Sequence, residues 1–413
     1  MAGMVHSISG PSRRSILAST GLAAFAQGDK LPPVRRVTRG PKFHWFGYYD
    51  KLQFDPSNRY LLGMEVDFEH RSPAPTDRIR IGMVDLGDND RWIGLGESGA
   101  WCWQQGCMLQ WLPGSRSEVI YNDREDGRLV SRILDVKTGK RRTLPGPIYA
   151  VSPDARTAVA CDFARLNHQR PGYGYAIDDP YKDVPAPKES GIWRMDLRTG
   201  QRDLIITLDR IARFPYTNGE WGAGSIHRFN HLLFSPGGGR FIFLHRRNGG
   251  DNPRAGKTRM FTARPDGSGL HVADPYGDTS HFIWRDDRHI MAWATHPSHG
   301  YAFYLYRDES NHVELLDRER MPVNGHNTYL PGNRWILNDT YPDKERLQHP
   351  YLYDTKTAAR RALGHFASPK EYAGEWRCDT HPRFSPNGKL VCIDSPHDGG
   401  RQMYVIDISE IVG

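Results

Sequence analysis

HLLFSPGG (231–238), HFIWRDDR (281–288), HNTYLPGN (326–333) and HPRFSPNG (381–388) each place a histidine three residues ahead of an aromatic that opens a turn. The four, His231, His281, His326 and His381, stand 50, 45 and 55 residues apart. A residue type that recurs at one phase of a repeated unit occupies equivalent positions on successive units. That period fits one blade of a β-propeller, a four-stranded sheet with a Pro/Gly turn after its innermost strand. Equivalent positions on successive blades face one axis, so the pattern predicts a ring of histidines.

Working outward, three earlier units carry the turn without the histidine: YYDKLQFDPSNRYLLGM (48–64), GCMLQWLPGSRSEVIY (106–121) and IYAVSPDARTAVACDF (148–163). Each continues with an alternating apolar run, a polar loop and a strand ending in a turn such as VDLGDND (84–90), LDVKTGK (134–140) or MDLRTGQ (195–201). Seven units are countable, and the last closes at MYVIDIS (403–409). The expected fold is all-β, a seven-bladed β-propeller. A chain of 413 residues suggests two or three domains by length, but closed β architectures exceed that figure as one unit, so residues 27–413 read as a single domain. The 42 Gly and 29 Pro supply the turns such a ring requires, and no long helical period competes.

Ahead of the blades, SRRSILASTGLAAFA (12–26) sets twin Arg13 and Arg14 before a short apolar run ending in small residues. That is the pattern of a twin-arginine signal peptide spanning residues 1–26, with a mature start at Gln27 and a periplasmic or secreted destination. The apolar run is too short to span a bilayer, and no membrane span is expected elsewhere. A twin-arginine route exports folded proteins and suits one that acquires a metal first. Five cysteines, Cys102, Cys107, Cys161, Cys378 and Cys392, lack the dense spacing of a disulfide scaffold. Cys102 and Cys107 are close enough in sequence to pair, whereas Cys161 and Cys392 sit in strand-like runs and read as buried thiols.

A formal net charge of +7 favours an anionic partner. No Lys/Arg-rich run or helix-turn-helix pattern accompanies it, so nucleic acid is not the expected partner; an acidic polysaccharide or oligosaccharide is. The chain is expected to act as a monomer.

Two segments carry a family resemblance. DTSHFIWRDD (278–287) and CDTHPRFSPNGKLVCIDSPHDGGRQMYVIDIS (378–409) resemble the fifth and closing blades of the seven-bladed polysaccharide lyases, in particular oligogalacturonate lyase, with ulvan lyases more distant. GIWRMDLRTGQ (191–201) is similar to a strand of the same family. The resemblance covers most of blades three to seven. It implies β-elimination on a uronic-acid glycan and a divalent metal, which in the family is manganese.

The family's metal ligands fall at His281, His381, Asp379 and Trp376. Asp379 stands where the family has histidine and remains a competent oxygen ligand, whereas Trp376 cannot coordinate. Cys378 or Glu375 is therefore expected to complete the set, and a thiolate would favour zinc. His326 is the next candidate, as ligand or substrate contact. Asp379 and His381, two apart on an extended segment, would equally hydrogen-bond each other.

FNHLLFSPGGGRFIFLH (229–245) resembles the stretch that bears the family's base, which assigns that role to His231. An imidazole with a pKa near neutrality also suits it. Tyr149 followed by Arg165 resembles the ulvan lyase pair in which a tyrosine is acid or base and an arginine meets the carboxylate. Where those enzymes carry a histidine pair, this chain offers Gln104, Gln105 and Asn122, with Gln105 the expected substrate contact.

RLNHQRPGYGY (165–175) interleaves Arg165, His168, Arg170, Tyr173 and Tyr175, a composition suited to stacking on sugar rings and gripping carboxylates, and it reads as an exposed loop. FHWFGYYDK (43–51), with His44, Tyr48, Tyr49 and Asp50, is similar in character or else closes the first blade on the seventh. Arg210 and Arg213 lie where the family's carboxylate-binding arginine falls, and compete with Arg165 for that role.

No G-x-S-x-G elbow, HExxH, phosphate loop or dinucleotide fingerprint is present. A glycoside hydrolase acting on rhamnose-uronate linkages is an alternative. It needs a carboxylate pair, and Asp50, Asp123, Glu375 and Asp379 do not recur at the phase where histidine does. A non-catalytic TolB-like binding propeller is the other, and it would not need the histidines.

Overall fold

Five of the unit turns share one backbone conformation. The residue two after the turn proline, Asn58, Ala155, Gly238, Asn333 or Gly388, has φ of 65°, 55°, 75°, 57° or 70°. Its N–H donates to the carbonyl three residues back, at 2.7–3.0 Å. Proline fixes the first corner and the left-handed residue closes the second, reversing the chain between the first and second strands of a blade.

The computed structural model describes residues 30–215, 224–249, 258–276 and 278–413. The expected signal peptide, residues 1–26, lies outside the described residues. The described chain forms seven antiparallel four-stranded sheets, the blades of a β-propeller. Their innermost strands are Phe43–Trp45, Gln110–Trp111, Ala150–Val151, Ser225–Phe234, Phe282–Asp286, Thr328–Tyr329 and Arg383–Phe384.

The seventh blade departs from the sequence reading. Its outermost strand is not local but Val34–Arg36, paired antiparallel with Gln402–Asp407 through Val34↔Ile406 and Arg36↔Tyr404. Joining the two ends of the chain in one sheet closes the ring and removes a free edge.

Aromatic side chains fill the blade interfaces. Trp45, Trp101 and Trp103 lie with ring centroids 5.2–5.8 Å apart, and Phe243 stacks on Phe261 at 5.2 Å. Truncating one such ring to alanine costs about 3–5 kcal/mol. All five cysteines are free and buried, so Cys102 and Cys107 do not pair. Among the described residues, no helix is long and apolar enough to cross a membrane.

Blade three carries an insertion that shapes the site. Between strands Thr157–Ala160 and Gly191–Asp196, Asp162 caps the helix Phe163–Gln169 by accepting the Arg165 N–H. The segment 165–175, expected as an exposed loop, therefore begins as a helix whose first four residues are buried. Only then does it turn so that Tyr173 and Tyr175 point inward, both buried.

Candidate functional site

The four histidines meet. His231 lies 6.4 Å from His281, His281 lies 4.2 Å from His326, and His326 lies 4.1 Å from His381, between ring centroids. They do so because each sits in or just before an innermost strand, where seven strands converge on the axis. His231 and His381 hold φ of 52° and 40°, a left-handed conformation uncommon for side-chain-bearing residues. At His231 the strand register slips between Asn230 and Leu233. That bulge turns the imidazole away from the ladder, a device common beside functional sites.

His231 is gripped by two phenols. Tyr149 Oη accepts the Gln105 Nε2–H at 2.6 Å and the His231 backbone N–H at 3.0 Å. With both lone pairs filled, its own proton points to His231 Nδ1, 3.3 Å away. The imidazole is then protonated on Nε2, which donates to Tyr48 Oη at 3.0 Å. Burial first, then the charges of Arg246 and Lys51 among its neighbours, drives the His231 pKa well below the usual value and keeps it neutral. Burial likewise raises the Tyr48 and Tyr149 pKa values well above the phenol range.

His326, Asp379 and His381 form a second group. One donor atom from each lies within 4.8 Å of the others, and all three residues are buried. Asp339 organises it. Its carboxylate accepts His326 Nδ1–H at 2.9 Å, the His326 and His381 backbone N–H groups at 2.7 and 3.2 Å, and the Thr380 hydroxyl at 2.5 Å. The proton on Nδ1 leaves the His326 Nε2 lone pair free, and neither that atom nor His381 Nε2 has a hydrogen-bond partner among the described residues. Two orphaned imidazole nitrogens beside a carboxylate fit a divalent cation.

Three expected ligands, His281, Cys378 and Glu375, lie outside this group. His281 Nδ1 meets Asn324 Oδ1 at 3.0 Å and its Nε2 faces the Tyr341 hydroxyl at 3.4 Å, so it stands beside the group of His326, Asp379 and His381 rather than in it. Cys378 is a buried thiol outside the group, its pKa pushed up by burial. Trp376 donates to the Glu371 carbonyl, and Glu375 accepts from Ser72. Without a thiolate, two imidazoles and one carboxylate suit manganese as well as zinc. Asp379 and His381 do not bond each other: their closest N and O atoms are 3.9 Å apart, and Asp379 instead accepts from Arg377 Nε at 2.7 Å.

Beside the histidines opens a cavity of about 330 Å³. Arg170, Arg228, Arg246 and Arg247 line it, with Tyr173, His231, His281 and Tyr341, and among the described residues no carboxylate does. Of the expected substrate contacts, Arg170 and Tyr173 line this cavity, whereas His326 and Gln105 do not. Arg377 links the two halves of the site, bonding both Asp379 and the Tyr173 hydroxyl.

Arg165 is not at the site. Its Nε donates to the His227 carbonyl at 2.6 Å, Nη1 to Tyr181 at 2.9 Å, and Nη2 to Val184 and Pro185, each at 2.7 Å. Asp179 lies 3.6 Å away, so the guanidinium staples a loop and has no donor for a substrate. Arg213 is exposed and paired with Asp209, and Arg210 is exposed on the same short helix. His44 bonds Gln402 and Glu65, closing blade one on blade seven, while Tyr48 and Tyr49 turn to the axis. Reading by sequence missed Arg228, Arg246, Arg247 and Asp339. HRFNH (227–231) and HRRN (245–248), two basic stretches flanking one turn, were the available signal.

No protein-family model matches the chain, and no curated protein matches it in sequence. Solved structures do. An oligogalacturonate lyase in complex with manganese superposes with a TM-score of 0.65 at 15% identity, covering 91% of this chain and 93% of that one. Oligogalacturonate lyase from Vibrio parahaemolyticus gives 0.64 at 14%, with the same coverage. The propeller domain of the Trilobed protease from Pyrococcus furiosus gives 0.51 at 11%, covering 88% and 96%. At these identities the likeness speaks for architecture: the chain has a seven-bladed β-propeller fold that resembles that of oligogalacturonate lyase.

Proposed function

We propose that the protein is a lyase that cleaves uronic-acid-containing glycans by β-elimination, in the periplasm or outside the cell, where its expected signal peptide would direct it. One observation carries the reading: a neutral histidine held between two phenols on the wall of a cavity that, among the described residues, is lined by arginines and no acid.

Elimination removes the proton beside the uronate carboxylate and expels the glycosidic oxygen from the neighbouring carbon. It requires a base, a cation for the charge that develops on the carboxylate, and an acid for the leaving oxygen. His231 is the base. Its Nδ1 lone pair exchanges the Tyr149 hydrogen bond for the substrate proton. An incoming carboxylate offsets the positive field of Arg246 and so raises the depressed basicity of the imidazole. Arg246, oriented by its Nε–H bond to Asn230 at 2.9 Å, neutralises that carboxylate. Tyr149 delivers its proton to the departing oxygen and regains one from the His231 imidazolium.

His326, Asp379 and His381 would hold a divalent cation, which when bound supplies further charge stabilisation. Asp339 fixes the His326 tautomer for that purpose, and Arg377 aligns Asp379. Hydrolysis by a carboxylate pair fits the site less well, because Asp379 is committed to Arg377, Asp339 to His326, and Asp50 lies 2.9 Å from Lys51.

Purified protein given pectic, ulvan-type and rhamnose-glucuronate oligosaccharides tests the proposal through the ultraviolet absorbance of the conjugated unsaturated uronate. A rise that His231→Ala abolishes supports it. Release of reducing sugar with no rise would indicate hydrolysis instead.

A further inference from the structure

Arg228 is in an environment that a single uronate does not explain. It is 6% exposed, yet its Nε and Nη1 have no hydrogen-bond partner among the described residues. It stands directly opposite Arg246 in the antiparallel ladder of blade four, a like-charge pair that by itself opposes strand pairing. Both line the cavity with Arg170 and Arg247, and among the described residues no acidic side chain lines it. Burial first, then Arg246 and Arg170, pulls the Arg228 pKa down to about 9, and among the described residues no carboxylate is paired with it. A buried, unpaired cation is costly to retain unless a ligand brings the missing charge.

We infer that Arg228, with Arg170 at the mouth, forms a seat for a second oxyanion of the substrate, separate from the carboxylate that Arg246 receives beside His231. The inference rests on the lyase reading for the word substrate, but the seat itself does not. A guanidinium with unpaired Nε–H and Nη1–H presents two donors to two oxygens of one oxyanion. The preferred glycan then carries two negative groups within one or two sugar units. The second is the carboxylate of an adjoining uronate or a sulfate ester.

The test titrates full-length protein with sodium sulfate, against sodium chloride at matched ionic strength, by calorimetry and thermal unfolding, for the wild type and Arg228→Gln. Sulfate is expected to bind and raise Tm where chloride does not. Losing one charge-assisted bidentate contact should weaken that binding about tenfold or more. Arg228→Gln should fold at least as well as wild type in sulfate-free buffer, since it removes an uncompensated charge; should it not fold, Arg228→Lys, which keeps the charge and loses the bidentate fork, takes its place and should weaken sulfate binding in the same direction. Sulfate that binds no better than chloride, or equally to both proteins, overturns the seat.

Substrate kinetics then separate the two sources. A KM raised by Arg228→Gln on a sulfated uronide alone assigns a sulfate ester, and on an unsulfated diuronate a carboxylate; no change on either overturns the inference. Elimination without sulfate binding would refute the seat and leave the lyase reading intact. Sulfate binding at Arg228 without elimination on any uronide would do the reverse.

Discussion

Replacing Asp339 with asparagine is a sharp probe of the candidate metal group, because it changes one atom's chemistry without changing shape. Asp339 is fully buried and accepts hydrogen bonds from His326 Nδ1, two backbone N–H groups and Thr380. An amide keeps one oxygen for the His326 backbone and Nδ1 donors, but turns an NH₂ toward the His381 N–H, which cannot rotate away. It also removes the negative charge that makes the His326 imidazole a stronger donor to a cation. Loss of such an outer partner lowers metal affinity about 10–100-fold, or about 1.4–2.8 kcal/mol. A lost charge-assisted bond costs the fold about 1.5–3 kcal/mol, so Tm should fall by several degrees. Calorimetric titration of the metal-free protein with Mn²⁺ and Zn²⁺ reads the first quantity and a thermal scan the second. An Asp339→Asn protein that unfolds earlier but binds metal as tightly as wild type would refute the reasoning, since Asp339 would then be a packing residue only.

Other consequences follow from the same geometry. Arg165→Met should orphan buried carbonyls and Asp179, costing about 3–5 kcal/mol in denaturant unfolding, while kcat of the folded enzyme at low temperature stays near wild type; a selective loss of kcat would return Arg165 to the site. Tyr149→Phe removes the partner of His231 Nδ1 and should lower kcat about 10²-fold or more with little change in KM. His227, hydrogen-bonded to His245 at 2.9 Å, has its pKa lowered to about 4 by burial and then by Arg259. The unfolded chain takes up that proton near pH 6.5 and the folded one does not until about 4, so stability falls with pH across that window. The contribution is about 3 kcal/mol, and Tm measured from pH 7 to 4 should flatten in His227→Asn.

What was legible in the sequence was whatever local turn chemistry encodes. The phase of His231, His326 and His381 was readable because each of their units repeats one turn with a left-handed residue two after its proline, while His281 kept the same spacing to its aromatic ahead of a turn without proline. The closing strand was not, since Val34–Arg36 is three residues long and owes its existence to a partner some 370 positions away. Arg165 was misplaced for a related reason: spacing locates a backbone, but the direction of a long side chain depends on which carbonyls its helix faces. Asp339 follows an ordinary strand, Trp335–Asn338, and acquires a role only because the neighbouring blade sets the His381 N–H beside it. Cys378 shows the converse, a plausible ligand by type that the fold buries outside the donor group.

The central claim is that His231 takes a proton from a uronide, and single-turnover elimination across a pH series tests it most directly. Wild-type protein mixed with a uronic-acid disaccharide should show the rise of unsaturated product, and His231→Ala should lose it while still binding the sugar. A His231→Ala protein that eliminates at the wild-type rate would contradict the account.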